Sequence, residues 1–116
     1  MDSDKQYVWE RGIVLLLNLD GWELEWVEEE LGYSAKGKTP KGFACVMEFK
    51  LLNKYYPFKI LEKSKYDALI SAEGMAFYYV FDCKGNYLYF LDNLKLPEDA
   101  VLHSLSESQA SILNKY

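Results

Sequence analysis

The stretch YSAKGKTPKGFACVMEFK, residues 33–50, decides how this chain of 116 residues is read. Its first half is crowded with lysine and glycine, and Pro40 and Gly42 mark an exposed turn between paired strands. Its second half, extended to Leu52, is apolar at successive positions, as a central strand covered on both faces must be. That strand runs through Glu48-Phe49-Lys50. Alternate side chains of a strand share a face, so Val46, Glu48 and Lys50 point one way and Met47 and Phe49 the other. An acid and a base at i and i+2 stand about 6.5 to 7 Å apart along the backbone, close enough to act on one substrate group.

The flanks supply the rest of the fold. Residues 3–18 read as a helix capped by Ser3, with Val8, Ile13, Leu16 and Leu17 inward, and Asn18 to Gly21 closes it with turn chemistry. In WELEWVEEE, residues 22–30, Trp22, Leu24 and Trp26 alternate with Glu23 and Glu25, the pattern of a half-buried strand, and Gly32 marks a bend. After the central strand, Pro57 opens a second helix reaching about Ala72, with Ile60, Leu61, Ala68 and Leu69 inward. MAFYYVF and NYLYFL flank DCKGN as a hairpin, and their aromatic residues suit a sheet core better than base stacking. SLSE at 104–107 resembles a capping box in a helical tail of about 96–116. The order is helix, two or three strands, helix, two strands, helical tail, which predicts one α/β domain around a mixed sheet.

Half of the residues are hydrophobic, which excludes a disordered chain. No apolar run approaches the roughly 20 residues of a membrane span, and the acidic N-terminus is unlike a signal peptide. Cys45 and Cys83 read as buried thiols, so a cytoplasmic protein is expected. With His103 the only histidine, a zinc centre of the His or Cys type is not expected, and neither a P-loop nor a nucleophile elbow is present. The net charge of −5 conceals a segregation: residues 1–35 sum to −7, 36–65 to +6 and 66–116 to −4. A central basic stretch of this kind can hold a polyanion although the whole chain is acidic.

In phosphodiester hydrolysis a carboxylate binds Mg²⁺, and a lysine orients the attacking water or stabilises the developing charge. An E-x-K strand end, set in the order helix, hairpin, strand, helix, two strands, is similar to the core of the PD-(D/E)XK nuclease superfamily over roughly residues 7–93. AKGKTPKGFACVMEFK followed by NKYYPFKILEKSKYDALI resembles its small phage-type members. The resemblance implies a restriction-endonuclease-like fold and a deoxyribonuclease dependent on Mg²⁺ or Mn²⁺. It makes Glu48 a metal ligand, Lys50 the catalytic lysine and Glu10, on the first helix, a second acidic ligand. It places Glu62 and Lys65 on the following helix beside the site. Lys36, Lys38 and Lys41 would grip DNA phosphates, with Lys54 and Lys59 assisting, and a domain of this size would act as a homodimer or with a larger partner.

One position departs from that pattern. An aspartate is expected where the strand before E-x-K bends, and Ser34, fourteen residues before Glu48, stands there instead. A neutral hydroxyl is a poor Mg²⁺ ligand, because a hard cation needs charged oxygen to displace its water. Glu30 has the same strand parity, but four residues of strand span roughly 13 Å, too far for simple replacement. The rival expectation is a catalytically silent interaction protein that binds a host protein or nucleic acid and works through the acids Glu23, Glu25, Glu28, Glu29 and Glu30.

Overall fold

A computed structural model describes residues 3–27 and 31–116. Helix α1 (Ser3–Leu19) precedes strands β1 (Glu23–Trp26), β2 (Ala35–Lys38), β3 (Ala44–Leu51) and β4 (Phe58–Glu62). Helix α2 (Lys63–Ser71) follows without a loop, then β5 (Met75–Asp82), β6 (Gly85–Phe90) and β7 (Leu102–Ser106), with short 3₁₀ turns after β6 and β7. The glutamates at 28–30 lie outside the described residues, as does the Ser3 side chain expected to cap α1.

Five strands form one mixed sheet in the order β1-β2-β3-β5-β6. Only the β3–β5 pair is parallel. A parallel pair needs a crossover rather than a hairpin, and here the crossover carries β4 and α2 over one face of the sheet. Strand β4 pairs there with β7 in a separate antiparallel ribbon. Strand β3 is the centre of the fold. Cys45, Met47 and Phe49 face α1 in a core with Val14, Leu17, Leu24 and Phe77, while Val46 faces the other core, with Leu61, Leu69, Tyr78 and Leu105. The apolar-on-both-faces reading of this strand, the β5–β6 hairpin and the buried ring systems of Phe77, Tyr78 and Tyr79 all stand.

Four expectations are corrected. Residues 58–62 form a strand, not the first turns of a helix: Lys59 and Leu61 point inward and Phe58, Ile60 and Glu62 outward, a period of two. The tail is built on a strand as well, with His103 and Leu105 inward, and the capping box forms between Ser106 and Gln109 rather than at Ser104. On α1 the inward residues are Trp9, Ile13, Val14 and Leu17, whereas Val8 and Leu16 are exposed. Cys45 is buried as expected, but Cys83 sits exposed in the hairpin turn.

Candidate functional site

A cleft of about 610 Å³ opens where α1, the bend before β2, the end of β3 and the start of α2 converge. Glu10, Ser34, Glu48, Lys50, Glu62 and Lys65 all line it, so residues spread from 10 to 65 in sequence meet at one place. The fold explains each arrival. Glu48 and Lys50 share the β3 face that the crossover covers, and the crossover brings Lys65 in on the first turns of α2. Ser34 is fixed by its main chain, whose N–H donates to the Met47 carbonyl (3.0 Å) and whose carbonyl accepts from Val27 N–H (2.9 Å). The bend needs Gly32: its φ of 84° is left-handed, and a Cβ there would come within 2.8 Å of the Ala68 side chain on α2.

Glu48 is buried, 5% exposed, and both its oxygens are engaged. The Ser34 hydroxyl donates to Oε1, and the Lys65 ammonium donates to Oε2 at 2.5 Å. Ser34 Oγ in turn accepts from Phe49 N–H (3.2 Å) and lies 3.3 Å from Glu10 Oε1. One hydroxyl proton therefore stands between two carboxylates and serves one of them at a time. Burial pushes the Glu10 carboxyl above its ordinary value; the Gln6 amide, 3.2 Å away, opposes this, and the Glu48 charge adds to it. The Trp26 indole N–H also lies by Glu10, but without a hydrogen bond of normal geometry. At Lys65 burial pulls the ammonium down, yet the hydrogen bond and charge of Glu48 outweigh it and the net shift is upward.

Lys50 is exposed at the mouth of the cleft and makes no ion pair among the described residues. Glu62 ends β4 and is exposed on the rim. The other lysines do not join the cleft. Lys36 and Lys38 share the Ser34 side of β2, but the register sets Glu25 opposite Lys36 and Glu23 opposite Lys38, and Lys36 approaches Glu25 to 3.8 Å. Strand β1 thus offsets part of the basic hairpin. Lys41 and Lys54 are exposed in loops.

Lys59 cannot reach a phosphate. It is 0% exposed, donates to the Tyr56 carbonyl and to Asp82 Oδ2 at 2.7 Å, and lies over the Tyr55 and Tyr87 rings at 4.5 and 4.3 Å. It is a structural ion pair of the crossover. Sequence reading did not find this pair, nor the pairing of Lys65 with Glu48. The only local signal for Lys59 is that alternation from Phe58 to Glu62 puts a lysine on the buried parity.

Among solved structures the chain is similar to Hjc, a Holliday junction resolvase of the archaeal hyperthermophile Archaeoglobus fulgidus. The identity is 14%, the TM-score 0.65, and the match covers 87% of this chain and 83% of that one. No protein-family model and no curated protein matches the sequence. The fold shared with that structure is restriction-endonuclease-like, a central mixed sheet flanked by helices.

Proposed function

We propose that this chain binds DNA as a protein of nuclease fold whose hydrolytic centre is held closed by its own charges. The observation that carries this is the engagement of both Glu48 oxygens, one by the Ser34 hydroxyl and one by the Lys65 ammonium. A divalent ion of the kind the fold implies needs charged oxygens free to replace its water. Here one carboxylate is already neutralised by an ammonium, the second has a raised affinity for a proton, and the position between them offers only a hydroxyl. No group of three or more His, Cys, Asp or Glu suited to a metal occurs among the described residues. The donor set as arranged does not fit Mg²⁺ or Mn²⁺, and Lys65 supplies the positive charge that a cation would bring.

What remains is a phosphate-binding cleft. Lys50 presents an uncommitted ammonium at its mouth. The likeness to a junction resolvase over most of the chain supports DNA as the ligand. The test is fluorescence anisotropy with labelled DNA in EDTA and again in Mg²⁺, with a parallel cleavage assay in Mg²⁺ and Mn²⁺. Binding that needs no metal, without strand scission, is expected. Scission by the unaltered chain that disappears in Glu48→Gln overturns the closed-centre reading, and absence of DNA binding overturns the ligand.

A further inference from the structure

The cleft does not end at Lys50. A second pocket, of about 390 Å³, opens beyond that side chain, and Lys50, Ile60 and Tyr78 line both. Leu52, Tyr56, Pro57, Phe58 and the buried Lys59 complete its wall, whose exposed surface is almost wholly carbon. Tyr56 is 49% and Phe58 55% exposed, so aromatic surface is left bare in a chain that buries Phe77, Tyr78 and Tyr89. Bare aromatic surface beside a charged cleft is the composition of a ligand wall rather than of idle surface.

The wall is also fixed before any ligand arrives. The fully buried Lys59 holds the Tyr56 carbonyl and is itself held by Asp82, while the Tyr78 hydroxyl donates to the Ile60 carbonyl at 2.8 Å. Tyr56 and Ile60 are therefore anchored through their carbonyls and Phe58 by the pairing of β4 with β7, and all three line the pocket.

We propose that this pocket receives one unstacked nucleobase of a DNA strand whose adjoining phosphate rests on Lys50. The inference rests on the DNA-binding reading above and narrows the ligand to DNA with an unpaired nucleotide. An ammonium next to an aromatic, apolar recess matches the two halves of a nucleotide, charged phosphate and flat base. Stacking on Tyr56 and Phe58 accepts any base, because every base has a π-face. Drawing a base out of a duplex sacrifices pairing and stacking, so a nucleotide already unpaired is the favoured occupant.

Three DNAs of one sequence test this in EDTA: a continuous duplex, the same duplex with a single extrahelical 2-aminopurine, and one with an abasic bulge. The 2-aminopurine bulge is expected to bind about ten-fold more tightly than the duplex, with a change in its fluorescence, from the worth of one stacked base. The abasic bulge should lose that preference, as should Tyr56→Ala and Phe58→Ala, whose side chains are half exposed and whose folding is verified by circular dichroism. The abasic arm changes the DNA alone, so it decides the matter even where a variant fails to fold. Equal binding of all three DNAs, or a preference that survives both substitutions, overturns the base pocket and leaves the DNA reading intact. No binding of any of the three overturns the DNA reading itself, and the pocket's role with it.

Discussion

Lys65 Nζ stands 2.5 Å from Glu48 Oε2, joining the first turns of α2 to the centre of the sheet through the one carboxylate buried in the cleft. The acid side chain is 7% exposed and the lysine 47%. The pair thus has a dry end and a wet end, and its two members are not equivalent.

Removing the wet member leaves a buried carboxylate with only a hydroxyl for company. Lys65→Met should destabilise the protein by about 1–3 kcal/mol in urea unfolding, below the range for a fully buried pair because solvent reaches the ammonium. Glu48→Gln should cost less, since the amide still accepts from Ser34. Lys65 is raised in the fold, so the pair's contribution is fully present below the ordinary lysine value near 10.5 and is lost as pH rises through the higher folded value. The Lys65→Met loss should accordingly be constant across neutral pH. A stability equal to the parent at pH 7 would show that the ion pair contributes nothing.

Ser34→Asp tests the departure from the family pattern directly. A third carboxylate against Glu10 and Glu48 repels both, so the variant should melt at lower temperature than the parent in EDTA. Mg²⁺ or Mn²⁺ should then restore it, by about 2.7 kcal/mol at a hundred times the dissociation constant, while the parent stays unchanged. Calorimetric titration of both proteins measures the same difference as binding. A variant that takes up no metal, or a parent that binds as tightly, removes Ser34 as the reason the centre is closed.

The contrast between what the sequence discloses and what it hides follows from contact range. The central strand, the two hairpins and the convergence of Glu48 and Lys50 on one face are set by period-two patterning and turn residues within a few positions. Ser34 stands out only through the resemblance, which expects an acid where the strand before E-x-K bends, and its hydroxyl does lie on Glu48. Strand β4 was not legible. Its inward Lys59 breaks the apolar alternation, and the partner that makes a buried lysine tolerable, Asp82, lies 23 residues further on. Strand β7 carries a buried His103 at the equivalent parity, and a histidine there reads as surface. The Lys65–Glu48 pair spans 17 residues and exists only because the parallel crossover folds α2 back on β3. Pairings that depend on topology leave no local trace.

The Lys59–Asp82 pair predicts an acid limb of stability. Both side chains are 0% exposed. Burial by itself pushes the Asp82 carboxyl up, but the Lys59 hydrogen bond and the Lys84 and Gly85 amides outweigh it and hold it below the ordinary value of 3.8. A depressed carboxyl contributes stability that is present above the unfolded value and is lost as pH falls through the folded one. Unfolding free energy should therefore drop below about pH 3.8 in the parent, and this component should vanish in Asp82→Asn. Lys59→Met, which leaves the carboxylate only the Lys84 and Gly85 amides and the Tyr87 hydroxyl, should cost about 1–3 kcal/mol at pH 7. DNA affinity should fall further than the folded fraction falls, because Lys59 holds the Tyr56 carbonyl in the pocket wall.

The lysine at the mouth of the cleft and the offset lysine of the hairpin should separate in salt. Each lysine ammonium that replaces a counterion on a phosphate adds about 0.9 to the slope of log K against log salt on duplex DNA. Lys50 has no acidic partner among the described residues, so Lys50→Ala should lower that slope by about 1 and weaken duplex and bulged DNA alike. Lys36 faces Glu25 across the β1–β2 ladder, and its charge is already offset at 3.8 Å. Lys36→Ala should therefore change the slope by much less, and Glu25→Gln should tighten binding slightly by freeing the lysine. Anisotropy titrations over a range of potassium chloride, with the same duplex throughout, decide it. A slope lowered by Lys36→Ala and left unchanged by Lys50→Ala would mean that the hairpin, and not the mouth of the cleft, carries the phosphate contacts.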